Sequence, residues 1–534
     1  MQQQGKFCAC LFQPAQVLPS PSRETLETEN KKARFGGLLH RLFTFPAAIL
    51  GIIIGKAFWT CRGRIVDTDF WWHLRNAQYA VSHGRLPHTD SYSFTAAGSA
   101  WLDHSWMSEL VYYAGYRASG MQGVFVVFTV TIAALLVSLF SICRRRNQDP
   151  LAAGICTIWG GLLAMVGFTP RAQNFGWLCF IAVFAILLRF REEKRAPLWL
   201  VPILFCLWIN FHGSWPVGLL VFGLMIAAGL IQRDIGKLTA CPWTRSELQK
   251  LLVTFGCSVV ALFINPLTFR LVFYPFDLLF KQNLNVTIGG EWASVDFNDS
   301  RGLFVMITLA AVLASTLWAR RPWRIDDVAL VVFALFCGLT HIRLLMITGI
   351  ILPAILVPQF GRISTYDPAH ERKFLNGAIM LAVAGMMILG FPAEQELGAQ
   401  IAQFFPVGAA NYLKAHPVEG NMFNQYEWGG YIEWALPQTP TFIDTRTEIF
   451  EYKGVLKDYV AISTFDKTEE LFDQYDISYV IYPGGTPLSY FLSKSTRWRC
   501  LYQDDVAIVY GRSDRGGTDI GNCSAQPAAS SAVP

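Results

Sequence analysis

The feature that most constrains this chain is a series of apolar runs of roughly 17 to 22 residues, repeated between about residues 43 and 392. Each is long enough to cross a hydrocarbon layer of about 30 Å as a helix, which satisfies its own backbone hydrogen bonds inside the lipid. The strands of a membrane barrel would be shorter and would alternate in polarity. Composition agrees, since 53% of the 534 residues are hydrophobic and 16% are charged, against about 25% charged in soluble domains. The chain reads as an integral membrane protein.

Spans are expected near 43–60, 122–142, 151–168, 174–190, 197–211, 215–231, 250–264, 302–318, 326–340, 344–360 and 374–392, eleven in all. Alternate loops read "RRRNQ", "RFREEKR", "QRDIGKL", "WARRPWR" and "GRISTYDPAHERK", and every one is basic. The tail 1–42 also ends in a basic flank, with Lys31, Lys32, Arg34 and Arg41. Basic loops stay in the cytoplasm, so the net charge of +5 is a topology signal and not a nucleic-acid footprint. No nucleic-acid partner is expected.

The opposite side collects the loop 61–121, the tips "TPRAQNF", "NFHGSW", "GGEWASVDFNDS" and "HIR", and the segment 393–534. That last segment mixes helix-like stretches ("VGAANYLKAH", "TEELFDQY") with short apolar strands ("TFIDT", "ISYVIY", "VAIVYG"), as an α/β domain would. The expectation is a polytopic α-helical membrane protein of about 11 transmembrane helices over 43–392, with a cytoplasmic tail 1–42 and an extracytoplasmic α/β domain 393–534. Most of the twelve cysteines sit singly in apolar runs, where they read as small hydrophobes. Cys500 and Cys523 are the only two in the C-terminal segment and are able to pair if it lies outside the cytosol.

Ionisable groups at membrane depth are costly and mark function more often than decoration. "DTDFWWHL", residues 67–74, follows the first span. Asp67 is placed to cap a short helix, and Asp69 and His73 then fall four apart on one face. Trp71 and Trp72 suit an aromatic belt at headgroup depth. Two carboxylates there fit a general base, or ligands for a divalent cation, Mg or Mn, that binds substrate phosphate; no cofactor is named with certainty. Further along, turn residues Gly84, Pro87, Asp90 and Gly98 lead to a second helix from about 104, bearing His104 and Glu109, with Trp106, Leu110 and Tyr113 spaced for an interface.

The tips add Arg171 and Gln173, then Asn210 and His212, then Glu291, then His341 and Arg343. An arginine at a membrane surface can simply snorkel, but its fork also suits a phosphate. Each tip alone reads as structural; their common side points to a shared cavity. No Walker loop, nucleotide-binding glycine fingerprint, HExxH or GxSxG occurs.

This pattern resembles the GT-C superfamily, multi-span glycosyltransferases that use polyprenyl-phosphate-linked sugars and carry an acidic motif in the first extracytoplasmic loop. The resemblance covers roughly 43–392 and rests on "VDTDFWWH", "GRLPHTDSYSFTAAGSAWLDHSWMSELVYY", "PRAQ", "WINFHG", "INP" and "GGEW". It looks closest to bacterial members with an outer tail of "WGGY…FIDTR" pattern, here "NQYEWGGYIEWALPQTPTFIDTRTEIF". The segment departs from oligosaccharyltransferases in lacking a consecutive Trp-Trp-Asp. What the resemblance implies is an inverting transfer at the outer face of the cell inner (cytoplasmic) membrane, from a polyprenyl-phosphate-sugar donor to a lipid, glycan or protein acceptor, among membrane lipids. Asp67 or Asp69 would be the base and Arg171 or Arg343 would hold the lipid phosphate. A transporter or flippase of lipid-linked glycans, or a non-catalytic scaffold, is the alternative. Transporters usually show internal repeats or helices broken at mid-membrane, whereas the polar residues here lie at span ends. In the tail, Asp444 and Arg446 read as a salt-bridged surface loop or as ligand groups at the end of a strand.

Overall fold

The computed structural model describes residues 43–281, 290–318 and 321–513. Helices stand at all eleven expected positions, from Phe45–Arg62 to Lys373–Leu389. Six are long and apolar enough for a single crossing, and Lys373–Leu389 with Glu394–Ala402, bent by 67°, makes a seventh. Leu200–Phe211, Trp215–Ala228, Arg245–Ala261 and Ile325–Thr340, of 12, 14, 17 and 16 residues, are shorter than that criterion.

Helix starts follow capping chemistry. The Asp149 carboxylate accepts from Leu151 N–H at 2.8 Å and also from Ile363 N–H at 2.6 Å, so one side chain closes a helix start and ties down a loop 214 residues away. The helix expected from about 104 is the first part of a 41-residue helix, Trp106–Arg146, broken at Ser119 and Gly120. Gly120 has φ +58, and a Cβ there would lie 2.6 Å from the Glu394 carboxylate. That carboxylate accepts from Met121 and Gln122 N–H at 2.9 and 3.0 Å, supplying the cap that the restarted helix lacks.

The C-terminal segment carries a four-stranded sheet of order β1-β2-β4-β3, with β1 Asn421–Asn424, β2 Ile477–Pro483, β3 Trp498–Gln503 and β4 Ala507–Arg512. β1 and β2 are parallel and the other pairs antiparallel. "ISYVIY" and "VAIVYG" are strands as expected. "TFIDT" is not: it makes one bridge to Ser93 and otherwise runs as a loop. Cys500 is disulfide-bonded, and Cys523 lies outside the described residues.

That loop is stitched to the first loop of the membrane part. Thr441 N–H donates to the Tyr92 carbonyl at 3.0 Å, Phe94 N–H to the Thr441 carbonyl at 3.1 Å, and Trp72 Nε1 to Thr445 Oγ1 at 3.0 Å. Trp71 and Trp72 are buried, so they form no belt facing lipid. The sheet domain is thereby docked on the end of the bundle that bears the polar tips.

Candidate active site

A cavity of about 300 Å³ opens where the first loop, the helix tips and the C-terminal loop meet. Seven of the twelve singled-out residues line it: Asp69, His73, His104, Arg171, Gln173, His212 and Arg343.

Asp67 and Asp69 take different positions. The helix runs Phe70–His83 with Asp69, not Asp67, at its N-cap, and the Asp69 side chain makes no capping bond. Asp67 instead accepts the Asp69 N–H at 3.0 Å and ion-pairs with Arg171, its own side chain 1% exposed. Asp69 lies 3.7 Å from the same guanidinium and keeps 28% of its side chain open to the cavity. Burial acts to raise the Asp69 carboxyl, but the Arg171 charge and the Thr445 hydroxyl outweigh it and hold the group below the usual carboxylate range. An ionised carboxylate beside an arginine thus faces the void.

Burial favours the neutral form of three histidines that line the cavity. Burial lowers His73 to about 4, against the pull of Asp69, and lowers His104 to about 3 with the help of His73. His212 is pushed well below its usual range by burial and by His104. His73 Nδ1 sits 2.6 Å from Glu109 Oε1, and the His104 ring stacks on Tyr274 at 4.7 Å. Arg343 lies over the Trp292 ring at 4.5 Å, a contact that aims a guanidinium across the mouth of the cavity.

Four of the remaining residues stand behind the wall. Asp67 holds Arg171. Glu109 holds His73. Asn210 accepts from Trp106 Nε1 at 3.0 Å and donates to the Ile264 carbonyl at 3.0 Å, knitting two helix ends without reaching the cavity. His341 Nδ1 lies 2.7 Å from the Trp292 carbonyl and fixes the loop that carries Arg343. The Glu291 side chain falls outside the described residues.

Tyr274, Thr445, Arg446, Thr447 and Glu448 also line the cavity, and Tyr274 carries no mark in its local sequence. The signal for the other four lay in "WGGY…FIDTR". A Cβ on Gly429 would stand 2.2 Å from the Ile443 carbonyl, and one on Gly430 would stand 3.1 Å from Trp72. Two adjacent glycines therefore let the Gly429–Ala435 helix touch both the FIDTR loop and the first-loop helix, seating Thr445 to Glu448 at the cavity. Asp444 and Arg446 are not a surface loop pair. Arg446 is 1% exposed, bonds Asp444 bidentately and lies 2.8 Å from Asp90 and 3.6 Å from Glu433.

No family model and no curated protein matches the chain. Three solved structures are similar to it. The oligosaccharyltransferase of Archaeoglobus fulgidus in the apo form matches at 12% identity over 88% of this chain and 75% of its own, with a TM-score of 0.51. Archaeal AglB from Archaeoglobus fulgidus, in complex with an inhibitory peptide and a dolichol-phosphate, matches at 11% over 82% and 69%, TM-score 0.51. ArnT from Cupriavidus metallidurans in the apo state matches at 13% over 90% and 98%, TM-score 0.50. At such identities the likeness speaks for the fold. This chain, with several helices long and apolar enough to cross a membrane, shares the fold of these solved structures.

Proposed function

We propose that this protein is an inverting glycosyltransferase that moves a sugar from a polyprenyl-phosphate donor to a lipid, glycan or protein acceptor at the outer face of the cytoplasmic membrane. One observation carries the reading: a single cavity at one end of the bundle presents an ionised carboxylate, Asp69, beside two guanidiniums, Arg171 and Arg343. The basic loops at the other end and the disulfide-bonded Cys500 support an outward-facing C-terminal domain. A structural neighbour whose ligand is a dolichol-phosphate supports a lipid-phosphate donor.

In this reading Asp69 takes the proton of the acceptor hydroxyl. The acceptor oxygen attacks the anomeric carbon from the face away from the phosphate, and the carbon–oxygen bond to phosphate breaks. Polyprenyl phosphate leaves with the bonding electrons, its growing charge met by Arg171 and Arg343. Asp67 is a positioning residue, because it holds the Arg171 fork and is closed to the cavity. The neutral imidazoles of His73, His104 and His212 add hydrogen bonds for sugar hydroxyls without adding cations. Thr445, Thr447 and Glu448 bring the C-terminal loop to the acceptor side.

A divalent cation would take Asp69 as an oxygen ligand. No step here runs through it.

The test is turnover by purified protein in nanodiscs, given a panel of polyprenyl-phosphate sugars and a membrane extract as acceptor. Asp69→Asn should lower turnover by about 10²- to 10⁴-fold with its melting temperature unchanged. Equal turnover by parent and variant, or no donor consumed by the parent, overturns the assignment.

A further inference from the structure

The far end of the bundle holds a second cavity, of about 370 Å³, that the transfer reading does not use. Five arginines line it: Arg145 and Arg146 end the long helix, Arg191 ends Gln173–Glu193, and Arg321 and Arg324 precede Ile325–Thr340. The acids they meet are Glu192, 2.7 Å from Arg146, Asp327, 3.4 Å from Arg146, and Asp326, 2.9 Å from Arg191. Five guanidiniums against three carboxylates leave an excess of two positive charges.

Arg191 adds a fixed donor to the cavity wall. Its Nε and Nη2 grip the two oxygens of Asp326 at 2.9 and 3.2 Å, and the Trp243 ring lies 4.1 Å from its Cζ. The side chain is thus locked in place, yet Nη1 is buried with no hydrogen-bond partner in a residue only 4% exposed. A buried cationic donor without a partner is unfavourable unless a ligand meets it.

The depth of the cavity identifies the ligand class. Gln173 lines the candidate active site and Arg191 lines this second cavity, at opposite ends of one helix. Eighteen residues at about 1.5 Å each separate them by about 27 Å, close to the roughly 30 Å of the hydrocarbon layer. The second cavity therefore sits at headgroup level in the other leaflet. Arginine forks there match the paired oxygens of a phosphate, and basic pockets between spans take anionic headgroups.

We infer that this cavity binds the phosphate of an anionic phospholipid from the leaflet opposite the candidate active site. Such a lipid completes the Arg191 donor set and clamps the ends of three helices. It is a separate site from the donor's and stands whether or not the transfer reading does.

The test compares full-length protein in nanodiscs of phosphatidylcholine alone with nanodiscs also containing phosphatidylglycerol, reading melting temperature and, by native mass spectrometry, retained lipid. The parent should melt higher with phosphatidylglycerol and carry one such lipid per chain. The double variant Arg145→Gln, Arg321→Gln, on exposed side chains, should lose both effects while melting like the parent in phosphatidylcholine. Should that variant fail to fold, Arg145→Gln alone must show a retention about tenfold weaker than the parent's. Equal retention by parent and variant overturns the site. Inorganic phosphate stabilising the lipid-stripped parent in detergent as strongly as phosphatidylglycerol does would assign it to a soluble anion and overturn the lipid source.

Discussion

Arg446 and Arg171 each gather acids around one guanidinium, on two sides of the same cavity. Arg446 is buried at the cavity wall: Asp90, Asp444 and Glu433 surround it, and the Tyr92 and Trp101 rings lie 4.9 and 5.0 Å from its Cζ. Burial first, and the neighbouring Asp444 charge second, push Glu433 well above the usual carboxyl range, so that one acid keeps its proton and the cluster has less charge to balance. Arg171 is open: one acid pins it from behind, and the second stands beside it with a face to the void. The Arg446 cluster joins the C-terminal domain to the first loop through Asp90. The other sets a partly exposed carboxylate, Asp69, beside a guanidinium at the cavity wall.

Four changes bear on this contrast, in falling order of effect. Arg446→Leu strands buried carboxylates and should cost about 3–5 kcal/mol, read as a large fall in melting temperature; a variant as stable as the parent would mean the cluster is no lock. Gly429→Ala forces a methyl against the Ile443 carbonyl and should cost about 1–3 kcal/mol, together with turnover, since the FIDTR loop must shift. Arg171→Lys keeps the charge and loses the fork, so turnover should drop about tenfold, roughly 1.4 kcal/mol, with stability near the parent's; a greater loss of stability than of turnover would make this cluster a second lock. Acidification should do least. Asp69 is held below its ordinary value and so stays ionised, and kcat/KM should be flat from about pH 8 to about pH 5, falling only as His73 gains its proton near 4. A fall centred near 6.5 would show that a histidine there is neither buried nor neutral.

Much of the fold was legible, because span length and hydropathy are set by the bilayer and show in a single stretch of sequence. Positions of helices at all eleven runs follow from that. The site was legible where charge stood out against apolar surroundings, as at Asp69, Arg171 and Arg343. It was illegible where the deciding contact is remote. Nothing local marks Tyr274 or Glu448 as cavity residues, and nothing near Asn210 or His341 announces that their partners are Trp106 and the Trp292 carbonyl. Nothing near Trp71 and Trp72 announces their burial either, since the domain that covers them begins some 300 residues later.

The Glu394 cap on Met121 and Gln122 has a consequence for biogenesis. A chain made from its N-terminus threads the second span into the bilayer while those amides still lack their acceptor, roughly 270 residues before it is synthesised. The long helix therefore lacks that cap until the bent pair Lys373–Leu389 and Glu394–Ala402 is being made, and the wall contributed by residues 445–448 arrives later still. A nascent chain stalled before residue 394 would lack that cap, half of the bent pair and the C-terminal wall of the cavity.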